Sequence, residues 1–519
     1  MRVIKIFLLF VCCISLDVQS QTFLSDTLGI NEDGSVIIAK SLALPGWILG
    51  VDVDSTDNLL FIRYRNLSKN ETSLKNRGGI SVYSLADQRM LWQRPVNYFN
   101  QDPKLTSEGV LFVTMGKATS LLDLKTGNEV WKKKKMIPYW VDAKNRMFLA
   151  YKGSYMNGVS NELEGHSLAT GEKMWSRKMS HVYGWNESGL LDDSTRLIVS
   201  DGIHLVHMGN GEGPSYAMPT GASDYKEAVA LGALGVVTGV LTGFAAVPTG
   251  PKKVMELVSN VLSDDTVFYV ASRENLFCLD RQLQPKWGYP IPDGMGSRSH
   301  LFARGDSLYM INMGTGYRNT IFDTSEAYAH EYLRLKVGWP FIACFDKRKG
   351  EKVWFRQLSD KKEMVEEFDI NWEEDALMVL FSDHIRKYSL SGDSLLSEVS
   401  WNTEVNGKLL YLTNSSYFLQ DFEDSTSYQR YKRPDSIYCL ITDKNEMVEL
   451  DQQLNVLQTY PLSKLRTFKA LIFLGDKTLW VNSKGEKKAY LYTSSKMFRV
   501  GEKFFIYSLD GKKIYEFPL

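Results

Sequence analysis

Histidine, cysteine and carboxylate positions are the first places to look for chemistry in this chain. Seven histidines are scattered through it, and none falls in an H-E-x-x-H pattern. His204 and His207 lie three apart in an apparent strand, where side chains alternate, so they point to opposite faces and make a poor metal pair. No G-x-S-x-G elbow and no phosphate-cradling glycine loop is present. Asp192-Asp193 and Asp264-Asp265 precede strands and read as turn residues. Cys278, Cys344 and Cys439 are an odd number of thiols. Cys278 and Cys344 occupy equivalent places in FCLD and ACFD, where a small apolar side chain points into packed strands. These residues supply no catalytic, cofactor-binding or metal-binding set. What remains is a group of tyrosines, Tyr317, Tyr328 and Tyr332, able to stack on a sugar or meet a protein partner, or to pack within their own loop. Lys plus Arg and Asp plus Glu both number 61, which leaves no net field to attract nucleic acid. Lys132 to Lys135 form a run suited to guarding an edge strand.

The elements that must position any site are announced by a recurring phrase. It reads LLDLKTGNEVW (121–131), HSLATGEKMW (166–175), FCLDRQLQPKW (277–287), ACFDKRKGEKVW (343–354) and, as a variant, VYSLADQRMLW (82–92). A strand, a tight turn with Gly and a second strand bearing Trp recur at a period near 40 residues, which describes a β-hairpin copied many times. Weaker copies follow at 205–216, 388–396, 448–457 and 506–517. The pattern predicts an all-β protein: a β-propeller of four-stranded antiparallel blades, eight in number, with seven or nine also compatible. Residues 36–44 are expected to lend a strand to the last blade. Gly127, Gly171 and Gly350 supply the positive φ of the turn, and Trp92, Trp131, Trp175, Trp287 and Trp354 are expected to cover the gaps between blades.

On these motifs the chain resembles the quinoprotein-like, or PQQ-like, β-propeller repeat family. That resemblance implies one of two kinds of protein. Quinone-dependent alcohol and sugar dehydrogenases carry a vicinal disulfide, a Trp beneath the quinone, and carboxylates for calcium and for the base. Non-catalytic members include an assembly lipoprotein of the outer-membrane β-barrel machinery. The only adjacent cysteines here are Cys12-Cys13, and no motif carries the calcium or base carboxylates onto this chain. The reading is therefore the non-catalytic branch, a binding or scaffold module without cofactor that presents a decorated face to a protein partner or a membrane. A PQQ-dependent dehydrogenase with calcium and a carbohydrate-binding propeller are the alternatives.

Residues 1–20 read as a signal peptide, with Arg2 and Lys5 before the apolar run Ile6–Leu16 and Val18-Gln19-Ser20 before the cut. The mature propeller, 21–519, is then exported to the periplasm, the outer membrane or the medium of a bacterium. Two insertions interrupt it, at 221–251 and 313–337. Within the first, residues 228–247 hold twenty positions without a charge, and Gly235, Gly239 and Gly243 recur every four residues beside Phe244. Such a stripe suits close helix packing, membrane association or docking on a partner. A single crossing would separate blades that must share a compartment, so a helix or helical hairpin is expected. In the second insertion Thr324–Leu335 is expected to form a short helix. One insertion joins successive blades and the other joins the second and third strands of a blade, so both leave the same face.

Overall fold

Hydrophobic patterning already separates the strands into two kinds. Val267–Ala271 (VFYVA) and Ala376–Leu380 (ALMVL) are buried at every position. Glu129–Lys134 and Leu395–Ser400 are mostly exposed, with alternation surviving only in part. A strand buried on both faces needs neighbours on both faces, whereas a polar alternating strand can close an edge. Four-stranded antiparallel sheets that stack face to face meet both demands, and they are the repeating unit of this fold.

The computed structural model describes residues 22–517 except 225–251, 322–329 and short stretches at 72, 115–116, 155–157, 181, 393, 413–416, 421–427, 432–436, 445, 462–464, 468–470, 474–476 and 482–486. Residues 1–20, expected to be a signal peptide, and the apolar run 228–247 lie outside the described residues. The chain falls into two compact units.

The first unit comprises Met1–Tyr98, Leu122–Asn128 and Ala470–Leu519. It holds the quartet Trp47–Asp54, Leu59–Leu67, Leu74–Ser84 and Arg89–Asn97, and an eight-stranded sheet. That larger sheet is two quartets joined at their outer edges by one hairpin. Leu24–Asn31 pairs with Lys487–Leu491, and Val36–Ala43 pairs with Lys513–Phe517. The expected loan of residues 36–44 to the last blade is therefore present, and the preceding strand makes a second loan that the sequence pattern did not suggest. Leu42, Leu60, Ile62, Tyr83, Phe505 and Ile514 form its main core.

The second unit, Phe99–Leu121 and Glu129–Lys469, holds most of seven further quartets. Besides one four-stranded sheet formed by the insertions, the described residues hold ten quartets, where the phrase suggested eight blades. The surplus includes Leu471–Phe473, Thr478–Val481 and Lys487–Leu491, whose turn lacks the Gly-then-Trp signature. The fold is a β-propeller type built of these quartets. Apart from a single turn of helix at Thr403–Asn406, capped by Asn402, no helix occurs among the described residues.

The reason for the recurring phrase is visible in the packing. Each Trp lies against the turn glycine of a later copy: Trp47 on Gly511, Trp92 on Gly127, Trp131 on Gly171, Trp175 on Gly211 and Trp287 on Gly350. All five glycines have φ between +63° and +75°, so the turn and the ring make the same demand. At Gly171 an added Cβ would stand 2.7 Å from the Trp131 ring. The indoles of Trp92, Trp131 and Trp175 also donate to the carbonyls of Leu124, Leu168 and Met208 at 2.7–2.8 Å, which satisfies their one polar atom while the ring is covered. Trp354 instead joins a core of Tyr309, Leu377 and Leu390. Cys278, Cys344 and Cys439 are buried, and burial pushes the Cys278 thiol up to about 11, so they act as small core residues.

Asp192 and Asp264 accept backbone N–H groups of Ser194 and Thr195, and of Thr266 and Val267, as turn residues do. One expectation is corrected. Within Thr324–Leu335, the part from His330 onward is a strand, His330–Lys336, paired with Thr315–Ile321, and residues 324–329 lie outside the described residues. The alternation in HEYLRLK and a ready antiparallel partner outweigh the helical spacing of Tyr328, Tyr332 and Leu335.

Candidate docking face

The two insertions meet. Ala222–Asp224 and Lys252–Met255 pair with each other and close the base of the first insertion. Lys252–Met255 then pairs with Thr315–Ile321 of the second, through Val254↔Arg318 and Met255↔Tyr317. With His330–Lys336 they make a four-stranded sheet that belongs to no blade. In an antiparallel quartet, connections from fourth to next first strand and from second to third strand leave the same end, so two loops about 60 residues apart in sequence can share hydrogen bonds.

Close packing seats this sheet. Gly316 has no room for a side chain, since a Cβ there would lie within 3 Å of Leu257, Val254 and Val337. Leu257 and Val254 are buried. Around this apolar base runs a set of charges. Arg298 pairs with Glu256 at 3.1 Å, donates to the Tyr317 hydroxyl at 3.0 Å and lies over the Tyr317 ring. Arg334 pairs with Glu366 and donates to the Val365 carbonyl at 2.6 Å. The Val365 N–H donates in turn to Met313, at the start of the hairpin. Connections 292–298 and 358–366 thus brace the insertion sheet.

Beside it lies a compact acidic and imidazole group. Glu363 belongs to the connection 358–366, Asp383 to the turn before the strand His384–Ser389, and His384 opens that strand. His384 Nδ1 is 2.7 Å from an Asp383 oxygen, its Nε2 is 3.8 Å from Glu363 Oε1, and its ring stacks on Phe381. The hydrogen bond from His384 holds the Asp383 carboxyl below the usual carboxylate range. Among the described residues this is the one group of three such side chains whose ligand atoms come within reach of a single ion.

Of the residues singled out from sequence, Gly235, Gly239, Gly243, Phe244 and Tyr328 lie outside the described residues. Tyr317 is half-buried and engaged by Arg298, and Tyr332 pairs with Asn319 in its strand. Arg298, Arg334, Glu256, Glu366 and the Glu363–Asp383–His384 group were not anticipated. Their single common signal is position in the connections of one face. His204 is buried between Ser215 and Asp201 while His207 is exposed, as strand alternation requires.

The family model described as outer membrane protein assembly factor BamB matches residues 50–284. That match spans less than half of the chain; with the repeated hairpins it shows a likeness to the PQQ-like β-propeller repeats. Among solved structures, BamB from Moraxella catarrhalis is similar at 11% identity, covering 95% of this chain and 100% of that one with a TM-score of 0.30. The quinohemoprotein alcohol dehydrogenase ADHIIG from Pseudomonas putida HK5 is similar at 10% identity, covering 79% and 72% with a TM-score of 0.31. TM-scores of this size carry no argument about function. No curated protein sequence matches the chain.

The dehydrogenases of the family hold calcium beside their quinone. Calcium takes six to eight oxygen ligands. The cluster found here offers two carboxylates and an imidazole, one carboxylate already engaged by Lys361 at 3.3 Å and the other by His384. This donor set does not fit that ion, and no step of a quinone reaction is derived from it.

Proposed function

We propose that this protein is a non-enzymatic binding or scaffold propeller of a bacterial cell envelope, and that it presents the insertion sheet to a protein partner, with the apolar run 228–247 as a second contact to that partner or to a membrane. One observation carries the reading: both insertions that interrupt the repeat converge on one sheet outside the blades. Rigid scaffolds concentrate binding on such loops. Its edge strand His330–Lys336 has one flank unpaired among the described residues and exposes Leu333, a geometry open to strand addition. The family match supports an envelope setting.

The test places a photo-crosslinking residue at Leu333 and, as control, at the equally exposed outer-strand residue Val456, in cells producing the chain. A discrete adduct from position 333 alone is expected. Equal adducts from both positions, or none, would sink the proposal for this face. In parallel, the chain with 226–251 replaced by a short Gly-Ser linker is compared with the intact chain for membrane partition, and loss of partition is expected. Oxidation of an alcohol or sugar by the purified protein with added quinone, calcium and a dye acceptor would overturn the non-enzymatic reading.

A further inference from the structure

His384 and Glu363 present an unusual gap. Both residues are buried, the Glu363 side chain at 9% exposure and the His384 side chain at 11%, and the two face each other. His384 Nε2 and Glu363 Oε1 have no hydrogen-bond partner. They stand 3.8 Å apart, too far for a hydrogen bond. Buried polar atoms are normally satisfied, so a facing pair that is not satisfied marks a place where something belongs. Two ligand atoms on one tetrahedral zinc ion, each about 2.0–2.2 Å from the metal, lie roughly 3.3–3.5 Å apart. A closing movement of a few tenths of an ångström reaches that spacing.

We propose that His384 Nε2 and Glu363 Oε1 are two protein ligands of a divalent transition-metal ion, with zinc as the type case. Imidazole nitrogen with carboxylate oxygen is a donor set for zinc and its neighbours rather than for calcium or magnesium. Asp383 is a positioning residue: its carboxylate accepts a hydrogen bond from the Nδ1–H of His384, which leaves Nε2 free to ligate, the outer-shell arrangement common to metal-bound histidines. Stacking on Phe381 at 4.3 Å fixes the ring plane. Lys361, 3.3 Å from Glu363 Oε2 and 62% exposed, is the resident counter-charge that an incoming cation displaces into solvent. The ion would fasten the connection 358–366 to the turn at 381–384. That connection also carries Glu366 and Val365, the contacts of the hairpin 315–336, so metal binding would brace the insertion sheet. The proposal is independent of what the sheet binds.

The experiment titrates Zn²⁺ into the metal-free mature chain against a chromophoric chelator, with Co²⁺ as a spectroscopic probe of the ligands. One ion per chain is expected, together with a Co²⁺ ligand-field spectrum. Glu363→Gln, which keeps shape and burial, and His384→Gln should each weaken binding by at least about tenfold, and Asp383→Asn by about tenfold. Lys361→Met should tighten it, and the exposed His207→Gln should leave it unchanged. Circular dichroism of the Glu363→Gln protein confirms that it is folded. If the native chain binds no more zinc than folded Glu363→Gln, or if stoichiometry and affinity survive that change, the pair is a plain His–Glu ion pair and the proposal fails.

Discussion

The hairpin repeats and the insertion sheet are both antiparallel β-structure, yet they are held by different physics. In the repeats a Trp ring closes on a glycine that already owes its positive φ to the turn, and apolar strands on either side are dry. In the insertion sheet the apolar contact is confined to the base around Gly316, and the rest is held by Arg298, Glu256, Arg334 and Glu366, all partly exposed. Burial of a large ring contributes several times what a partly solvated ion pair does. The lesson is that the repeats set stability, whereas the insertion sheet is free to vary its surface chemistry.

This contrast can be broken by substitution. Trp131→Ala removes a ring only 9% exposed together with its bond to Leu168, and about 3–5 kcal/mol of loss is expected in urea denaturation. Gly171→Ala asks a Cβ to share space with that ring at a φ of +67°, and a loss of about 2–4 kcal/mol is expected by the same assay. Arg298→Ala, which cuts a pair exposed at 34% and 32%, should cost about 0.2–1 kcal/mol. An Arg298→Ala loss as large as that of Gly171→Ala would erase the distinction between the two regions.

The smallest effect sharpens the comparison through pH. Glu108, in the turn between Gln101–Thr106 and Gly109–Thr114, takes two hydrogen bonds from Arg146, and these hold its carboxyl below the usual range. A lowered folded-state pKa gives stability that is present above the unfolded value and is lost as pH falls through the folded one. Glu108→Gln should therefore lower the melting temperature slightly at pH 7, and the difference from the native chain should shrink once pH falls below the ordinary Glu value of about 4.3 and vanish below the lowered folded-state value. Solvent around Arg146, 66% exposed, keeps this effect smaller than the three above.

Legibility from sequence follows the same division. Every copy carries the covering Trp and three of the five carry the turn Gly, so the hairpins at 82–92, 121–131, 166–175, 277–287 and 343–354 could be read directly. The hairpin Thr478–Leu491 has no such phrase and went unread, and the strand His330–Lys336 was expected as helix because Tyr328, Tyr332 and Leu335 fall at helical spacing. The cluster of Glu363, Asp383 and His384 spans 22 residues and several elements, and nothing in its spacing announces it.

By itself, then, the sequence determined the local unit: alternation specifies strands, and Gly with Trp specifies turns and their covering, because these depend on neighbours a few residues or one repeat away. Only the tertiary structure decided that the N-terminal hairpin completes two quartets at once, that Lys252–Met255 finds Thr315–Ile321, and that His384 faces Glu363. Edge pairing and side-chain juxtaposition across connections depend on where the stacked sheets bring distant loops. That placement is a property of the assembled quartets and leaves no mark on any single stretch of chain.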